Sequence, residues 1–234
     1  MRETLFYIPD MTSALQYAAA QLCKWGFDIT PFPSPNVTHV LLPVPSTSMP
    51  IPATLPDDII VFGGNIGNAP YKTIDLLQDE TYLAQNAAIT AHCALTLAME
   101  QLPVTFSECD TLLIGWGRIS KCLAPLLRNL GANVTIASRK ASERAILEAT
   151  GFGIVDSTQI DASRYRLIIN TAPAPILSES QCRSDAALMD LASQKGIAGD
   201  RVIWARGLPN KHAPESSGNL IAKTVLRYLG KESQ

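Results

Sequence analysis

Short apolar runs alternate with longer amphipathic stretches along almost the whole chain. Leu5-Phe6-Tyr7-Ile8 is the first run, and residues 12–26 follow with helical composition, a Thr12 cap and a stop at Gly26. Residues 39–44 and 59–64 read as buried strands on either side of a proline- and serine-rich loop, 45–57. A helix is expected over 72–78, then a long helix within 79–102 that starts at about Asn86. Pro103 and the polar residues of 103–110 mark a break. Beyond it the order is strand 111–115, helix 118–130, strand 133–137, helix 141–150 and a short strand 153–155. Strands 166–170, 187–191 and 201–205 follow, and a last helix runs from near Pro214 to about Leu229.

This alternation argues for parallel sheets with crossover helices. The expected fold class is α/β: an N-terminal α/β domain over 1–86 and a Rossmann-type, doubly wound parallel-sheet dinucleotide-binding domain over 105–210. A helix and linker at 87–104 join them, and a C-terminal helix within 211–234 returns to the N-terminal domain.

Composition narrows the class. With 234 residues, 47% of them apolar, the chain can bury a substantial core. Its net charge of −2 and its scattered basic residues argue against a nucleic-acid partner. No apolar run approaches a membrane span, and Met1-Arg2-Glu3-Thr4 does not open a signal peptide. The five cysteines are widely spread without a C-x-x-C pair, so neither a metal site nor a disulfide framework is expected. These features point to a cytoplasmic protein that contacts neither nucleic acid nor membrane.

The chemistry concentrates after the apolar strand Leu112-Leu113-Ile114. Gly115 permits a tight turn, and Gly117 removes a side chain where a pyrophosphate would approach the backbone. The helix that opens at once offers unpaired N–H groups and a positive dipole end. Gly115, Trp116, Gly117, Arg118 and Ile119 are therefore candidate cofactor contacts, with Ser120 in place of the usual third glycine. An NAD site usually has a carboxylate at the end of the next strand to bond the ribose 2′-hydroxyl. Here that strand ends in Ser138-Arg139-Lys140, with no acid until Glu143. A hydroxyl and two cations suit a 2′-phosphate, so NADP is expected over NAD; the alternative is that the cations cap a surface loop. Two further strands end in Asn170-Thr171-Ala172-Pro173 and in Asp190-Leu191-Ala192-Ser193. Asn170, Thr171, Ala172, Pro173, Leu191 and Ala192 are expected beside the nicotinamide half.

Downstream, Gly207-Leu208-Pro209 makes a turn and Pro214 suits the first position of a helix. Ser216, Ser217 and the N–H groups there form a potential carboxylate cradle, and Gly218 permits a close approach. A helix start built only for packing explains the same residues, and Glu215 favours that alternative.

Taken together, TAHCALTLAME (90–100), the glycine-turn segment 112–140, IINTAP, LMDLASQKG and ARGLPNKHAPESSGNLIAKTV (205–225) resemble the family of the dipicolinate synthase A component, with LLPVPS (41–46) as a weaker match. The resemblance covers most of the chain from about residue 80. It implies an NADP-dependent oxidoreductase of spore-forming bacteria that oxidises dihydrodipicolinate, a small dicarboxylate, to dipicolinate. It also implies a flavoprotein-like second subunit, and a homo-oligomer is expected. Thr90, Arg206, Lys211, Ser216 and Ser217 are then the candidate substrate contacts, with Arg206 and Lys211 as the cations for two carboxylates. His92 and His212 are the candidate catalytic bases, because imidazole titrates near working pH, while His39, at the start of an expected strand, is read as structural. The sequence departs from the family at His92-Cys93, where Glu-Gly is usual, and at Gln194-Lys195-Gly196-Ile197, where Arg-Pro-Gly-Gly is usual. Two other readings stay open. One is a catalytically degenerate NADP-binding subunit or sensor. The other is a 2-hydroxyacid dehydrogenase relative, which fits poorly because no Glu lies between Gln181 and His212.

Overall fold

From its first residues the chain alternates strand and helix as β1 (Leu5–Tyr7), α1 (Ser13–Lys24), β2 (Asp28–Thr30), β3 (His39–Leu41), β4 (Ile60–Gly63), β5 (Lys72–Asp75) and α2 (Glu80–Gln101). There follow β6 (Asp110–Ile114), α3 (Arg118–Asn129), β7 (Asn133–Ser138), α4 (Ala141–Ala149) and β8 (Gly153–Asp156). The last elements are β9 (Leu167–Asn170), β10 (Leu177–Ser178), β11 (Ala187–Asp190), β12 (Ile197–Ala198), β13 (Ile203–Trp204), α5 (Leu208–His212) and α6 (Pro214–Tyr228). This computed structural model describes residues 3–46 and 51–230, so the expected loop 45–57 lies partly outside the described residues. Two units form: Met1–Ile89 with Pro209–Gln234, and Thr90–Leu208. None of the described helices is long and apolar enough to cross a membrane.

The first unit is a parallel five-stranded sheet in the order β2-β1-β3-β4-β5. The Thr12 side chain caps α1 by accepting from the Leu15 N–H at 3.3 Å. Ala14, Leu15, Ala18, Ala19 and Leu22 line the buried face of α1 and join Leu220, Ile221, Val225 and Leu226 of α6 in one core. The two helices lie so close that a Cβ on Gly218 would overlap the carbonyl oxygen of Ala14. Gly218 therefore serves helix packing. Asp79 ties the start of α2 to the end of α6. It accepts from the Tyr82 N–H at 2.7 Å, from Arg227 at 2.6 Å and from the Tyr228 hydroxyl at 2.9 Å.

Three local expectations need correction. Residues 72–78 are not one helix: Lys72–Asp75 pairs along β4, and only Leu76–Gln78 turns into a 3-10 helix. The open edge of β4 offers Thr73 and Ile74 backbone partners, and Asp75 stops the strand by capping Leu77 at 2.8 Å. The long helix begins at Glu80 rather than near Asn86. Strand β2 was not predicted, since three residues give no readable period; pairing with β1 creates it.

The second unit holds a parallel six-stranded sheet in the order β13-β11-β9-β6-β7-β8. Leu112, Leu113 and Ile114 of β6 are fully buried, which explains the unbroken apolar run: a central parallel strand is covered on both faces. On α3, Ser120, Leu123, Ala124 and Leu127 form the buried stripe at helical spacing. The short pair β10–β12 and the single-turn helix α5 are outcomes of tertiary contacts that no sequence period announced.

Candidate nucleotide site

The order of the second sheet creates a switch point. From β6 the chain moves outward through β7 and β8, and then returns to the other side of β6 through β9, β11 and β13. Loops after β6 and β9 therefore diverge and leave a crevice at the carboxyl ends of these strands. Ile114 pairs with Asn170, which sets Gly115 beside Thr171. Gly115 has φ +91°, and a Cβ there would stand 3.0 Å from Thr171 Oγ1 and 3.2 Å from the Ala172 Cβ. Both its left-handed backbone and its close neighbours require glycine. Thr171 donates its N–H and its hydroxyl to the Ile114 carbonyl, at 2.9 and 3.0 Å. The hydroxyl of Ser120, fully buried, lies 2.9 Å from Thr171 Oγ1. Serine thus fills the third glycine position and adds a hydrogen bond there.

Gly117 differs from Gly115. Its φ of −84° and ψ of −172° are open to any residue, and no atom of the described residues lies within 4 Å of the position of an added Cβ. Neither backbone nor packing demands glycine. Gly117 is also the N-cap of α3 and supplies no capping side chain, so the N–H groups of the first turn lack an intrahelical acceptor. Open space beside a helix start, at a dipole's positive end, fits a diphosphate. Arg118 is exposed, Ile119 is half-buried, and Trp116 packs against Phe152 with ring centroids 6.2 Å apart. Arg128 also packs on Phe152, its guanidinium 4.2 Å from the ring centroid.

At the end of β7 the fold changes the electrostatic picture. Glu143, five residues beyond Ser138 in sequence, falls in the first turn of α4 and turns back to the strand end. The buried Ser138 hydroxyl donates to Glu143 Oε2 at 2.5 Å, and Lys140 Nζ lies 3.4 Å from Oε1. The Ser138 hydrogen bond and the nearby Lys140 hold the Glu143 carboxyl below its ordinary range. Arg144 clamps the turn, donating to the carbonyls of Ser138 and Arg139 at 2.7 and 2.9 Å and pairing with Asp156 at 2.8 Å. Arg139 and Lys140 are exposed.

Asn170 and Asp190, fully buried at the ends of β9 and β11, are directed inward. Asn170 Nδ2 donates to Asp190 Oδ1 at 3.0 Å and to the Ala172 carbonyl at 2.9 Å, while Oδ1 accepts from the Ala172 N–H. Asp190 accepts from the N–H groups of Ala192, Gly196 and Ile197 at 3.0, 2.7 and 3.0 Å. These side chains shape the two loops, in which Thr171 and Ala172 are half-buried, Pro173 is exposed, and Leu191 and Ala192 are buried. The Ala192 carbonyl accepts from Trp204 Nε1 at 3.1 Å and from Arg206 Nη1 at 3.0 Å. The Arg206 guanidinium stands 5.6 Å from the Trp204 ring centroid. The roles of Asp190 and Trp204 are not legible in the sequence, because their partners are set by sheet order, and that of Glu143 depends on the first turn of α4 bringing its carboxylate back to Ser138.

The candidate substrate residues divide between the units. Thr90, His92 and Arg206 belong to one, and Lys211, His212, Ser216 and Ser217 to the other. Thr90 is buried and His92 exposed on α2. Lys211, His212 and Ser216 are exposed. Ser217 is buried, and its N–H closes the first turn of α6 on the Ala213 carbonyl at 3.0 Å, so it is not among the unpaired donors of that helix.

No protein-family model and no curated protein sequence matches the chain. Solved structures do match it. The A component of dipicolinate synthase from Bacillus halodurans superposes with a TM-score of 0.83 at 18% identity, covering 99% of both chains. The corresponding dipicolinate synthase polypeptide from Bacillus subtilis gives 0.80 at 21% identity, over 98% of this chain and 96% of that one. A transhydrogenase from Sinorhizobium meliloti gives 0.71 at 13% identity, over 97% and 93%. The fold of this chain is therefore that of these proteins, and the resemblance read from the motifs has its counterpart in three dimensions.

Proposed function

We propose that the chain is an NADP-dependent oxidoreductase like the A component of dipicolinate synthase, which oxidises dihydrodipicolinate to dipicolinate during sporulation. The observation that carries this reading is Gly117: a glycine that neither its backbone nor the described residues around it require, at a start of α3 without a side-chain cap, on the switch point of a doubly wound sheet. The similarity of the fold to dipicolinate synthase supports the choice of substrate.

In this reading the N–H groups of Arg118 and Ile119 hold the diphosphate, and Trp116 flanks them. Ser138, Arg139 and Lys140 receive the 2′-phosphate, and the loops at 170–173 and 191–192 border the nicotinamide. Bound there, the oxidised nicotinamide would supply the acceptor for a hydride from the dihydropyridine ring. The protein has to neutralise two carboxylates and take up one proton. Arg206, held by the Ala192 carbonyl and the Trp204 ring, presents its remaining donors to a carboxylate, and Lys211 is the other candidate carboxylate contact. His92 and His212 are the candidates to take the proton, and Thr90 and Ser216 are further candidate substrate contacts. Aromatisation supplies the driving force, so orientation and charge balance are the protein's contribution. The protein works in the cytoplasm as a homo-oligomer beside a flavoprotein-like second subunit.

A second reading, a nucleotide-binding protein without turnover, is favoured by one observation. Among the described residues neither the His92 ring nor the His212 ring has a hydrogen-bond partner to orient it. Turnover assays with dihydrodipicolinate and NADP separate the two readings. Formation of dipicolinate together with NADPH supports the enzyme. Tight NADPH binding without product would leave only the binding function.

A further inference from the structure

The donors suited to a 2′-phosphate are already engaged by an anion of the protein itself. Ser138 donates its hydroxyl to Glu143 at 2.5 Å and Lys140 places its ammonium 3.4 Å from the same carboxylate. Lys121 contributes further positive potential, and the start of α4, whose N-cap Lys140 gives no side-chain hydrogen bond, faces this turn. A hydroxyl, an ammonium and a helix start are what a phosphate monoester at this position would use.

We infer that Glu143 is a specificity-determining residue that occupies the 2′-phosphate position as a built-in competitor, moderating the preference for NADP(H) over NAD(H). The inference rests on the proposed nucleotide-binding function. A dianionic phosphate must displace the carboxylate from Ser138 and Lys140 before it can bond to them, and it meets repulsion until the carboxylate has moved. NADH carries no group that needs these donors, so it binds without that displacement. The turn does not depend on Glu143 for its shape. Arg144 holds the carbonyls of Ser138 and Arg139 and pairs with Asp156, so removing the Glu143 charge leaves the strand end in place.

The test is calorimetric titration of the full chain with NADPH and with NADH, for the wild type, Glu143→Gln, Glu143→Ala and the control Glu148→Gln. Glu148 is exposed on the same helix, outside this cluster. Both Glu143 variants should bind NADPH about tenfold more tightly, roughly 1.4 kcal/mol, and NADH within about twofold of the wild type. Glu148→Gln should change neither. Unchanged or weakened NADPH binding in the Glu143 variants overturns the inference, as does equal tightening in the control. Loss of NADH affinity in Glu143→Gln would overturn it too, making Glu143 the ligand of the ribose 2′-hydroxyl instead. Failure of the wild type to bind either coenzyme removes the nucleotide reading itself, an outcome distinct from all of these.

Discussion

Asn170 and Asp190 stand opposite each other in the register of β9 and β11, joined by a hydrogen bond of 3.0 Å between fully buried side chains. Through them the loop after β9 and the loop after β11 are folded as one piece, because Asp190 also holds the N–H groups of Ala192, Gly196 and Ile197. Replacing Asp190 by Ala leaves these donors buried without an acceptor. Each such group costs about 1–3 kcal/mol, so Asp190→Ala should lower the unfolding free energy by roughly 3 kcal/mol or more. Urea denaturation of the variant measures this. A loss below about 1 kcal/mol would show that the network does not hold the loops.

The two glycines of the turn should respond differently to a side chain. Gly117→Val meets no atom of the described residues, so its thermal midpoint should match the wild type while NADPH binding is abolished. Gly115→Val forces a branched side chain into a backbone at φ +91° and against Thr171, and should destabilise the protein itself. Thermal unfolding together with NADPH titration distinguishes the two. Normal NADPH binding by Gly117→Val would place the nucleotide elsewhere.

Arg139 is the exposed cation next to Ser138. Arg139→Glu should weaken NADPH by at least about tenfold, roughly 1.4 kcal/mol, because attraction to the 2′-phosphate becomes repulsion. NADH affinity should hardly change. Parallel titrations decide the point, and equal losses for both coenzymes would put Arg139 outside the 2′ pocket.

Arg206→Ala and Lys211→Ala should each raise the dissociation constant for dipicolinate while leaving NADPH affinity intact. For Arg206 the expected rise is on the order of tenfold or more, since a charge-assisted hydrogen bond contributes about 1.5–3 kcal/mol. Equilibrium binding of dipicolinate to the NADPH-saturated protein gives the answer. Wild-type affinity in both variants would reject these residues as carboxylate contacts.

His39 supplies a pH dependence in the first unit. Its ring packs near those of Phe6 and Phe62, at centroid distances of 5.0 and 6.1 Å, and burial lowers its pKa from the ordinary 6.5. Above about pH 6.5 the ring is neutral in both folded and unfolded chains and contributes no pH dependence. Below that value the unfolded chain takes up a proton that the folded one resists, so stability falls as the pH drops toward the lowered folded-state pKa. Between about pH 7.5 and 5.5 the urea midpoint should fall less in His39→Phe than in the wild type. An equal fall would assign the acid sensitivity to other groups.

Much of this architecture is written in the local pattern. The apolar run Leu112-Leu113-Ile114, the turn at Gly115–Gly117 and the stripe on α3 follow from neighbours in sequence, because strand burial, turn geometry and helical period are all short-range properties. Residues 72–78 read as helix because their composition permits it, and only the free edge of β4 made Lys72–Asp75 a strand. The site divides in the same way. Gly117 could be singled out from sequence, since its meaning depends on the strand before it and the helix after it. The roles of Asp190 and Trp204 could not, because hydrogen-bond partners and close approaches between distant segments exist only once strand order and register bring the chain ends of β6, β9 and β11 to one edge. Sequence spacing alone left Glu143 beyond the end of β7, and the first turn of α4 returned its carboxylate to Ser138.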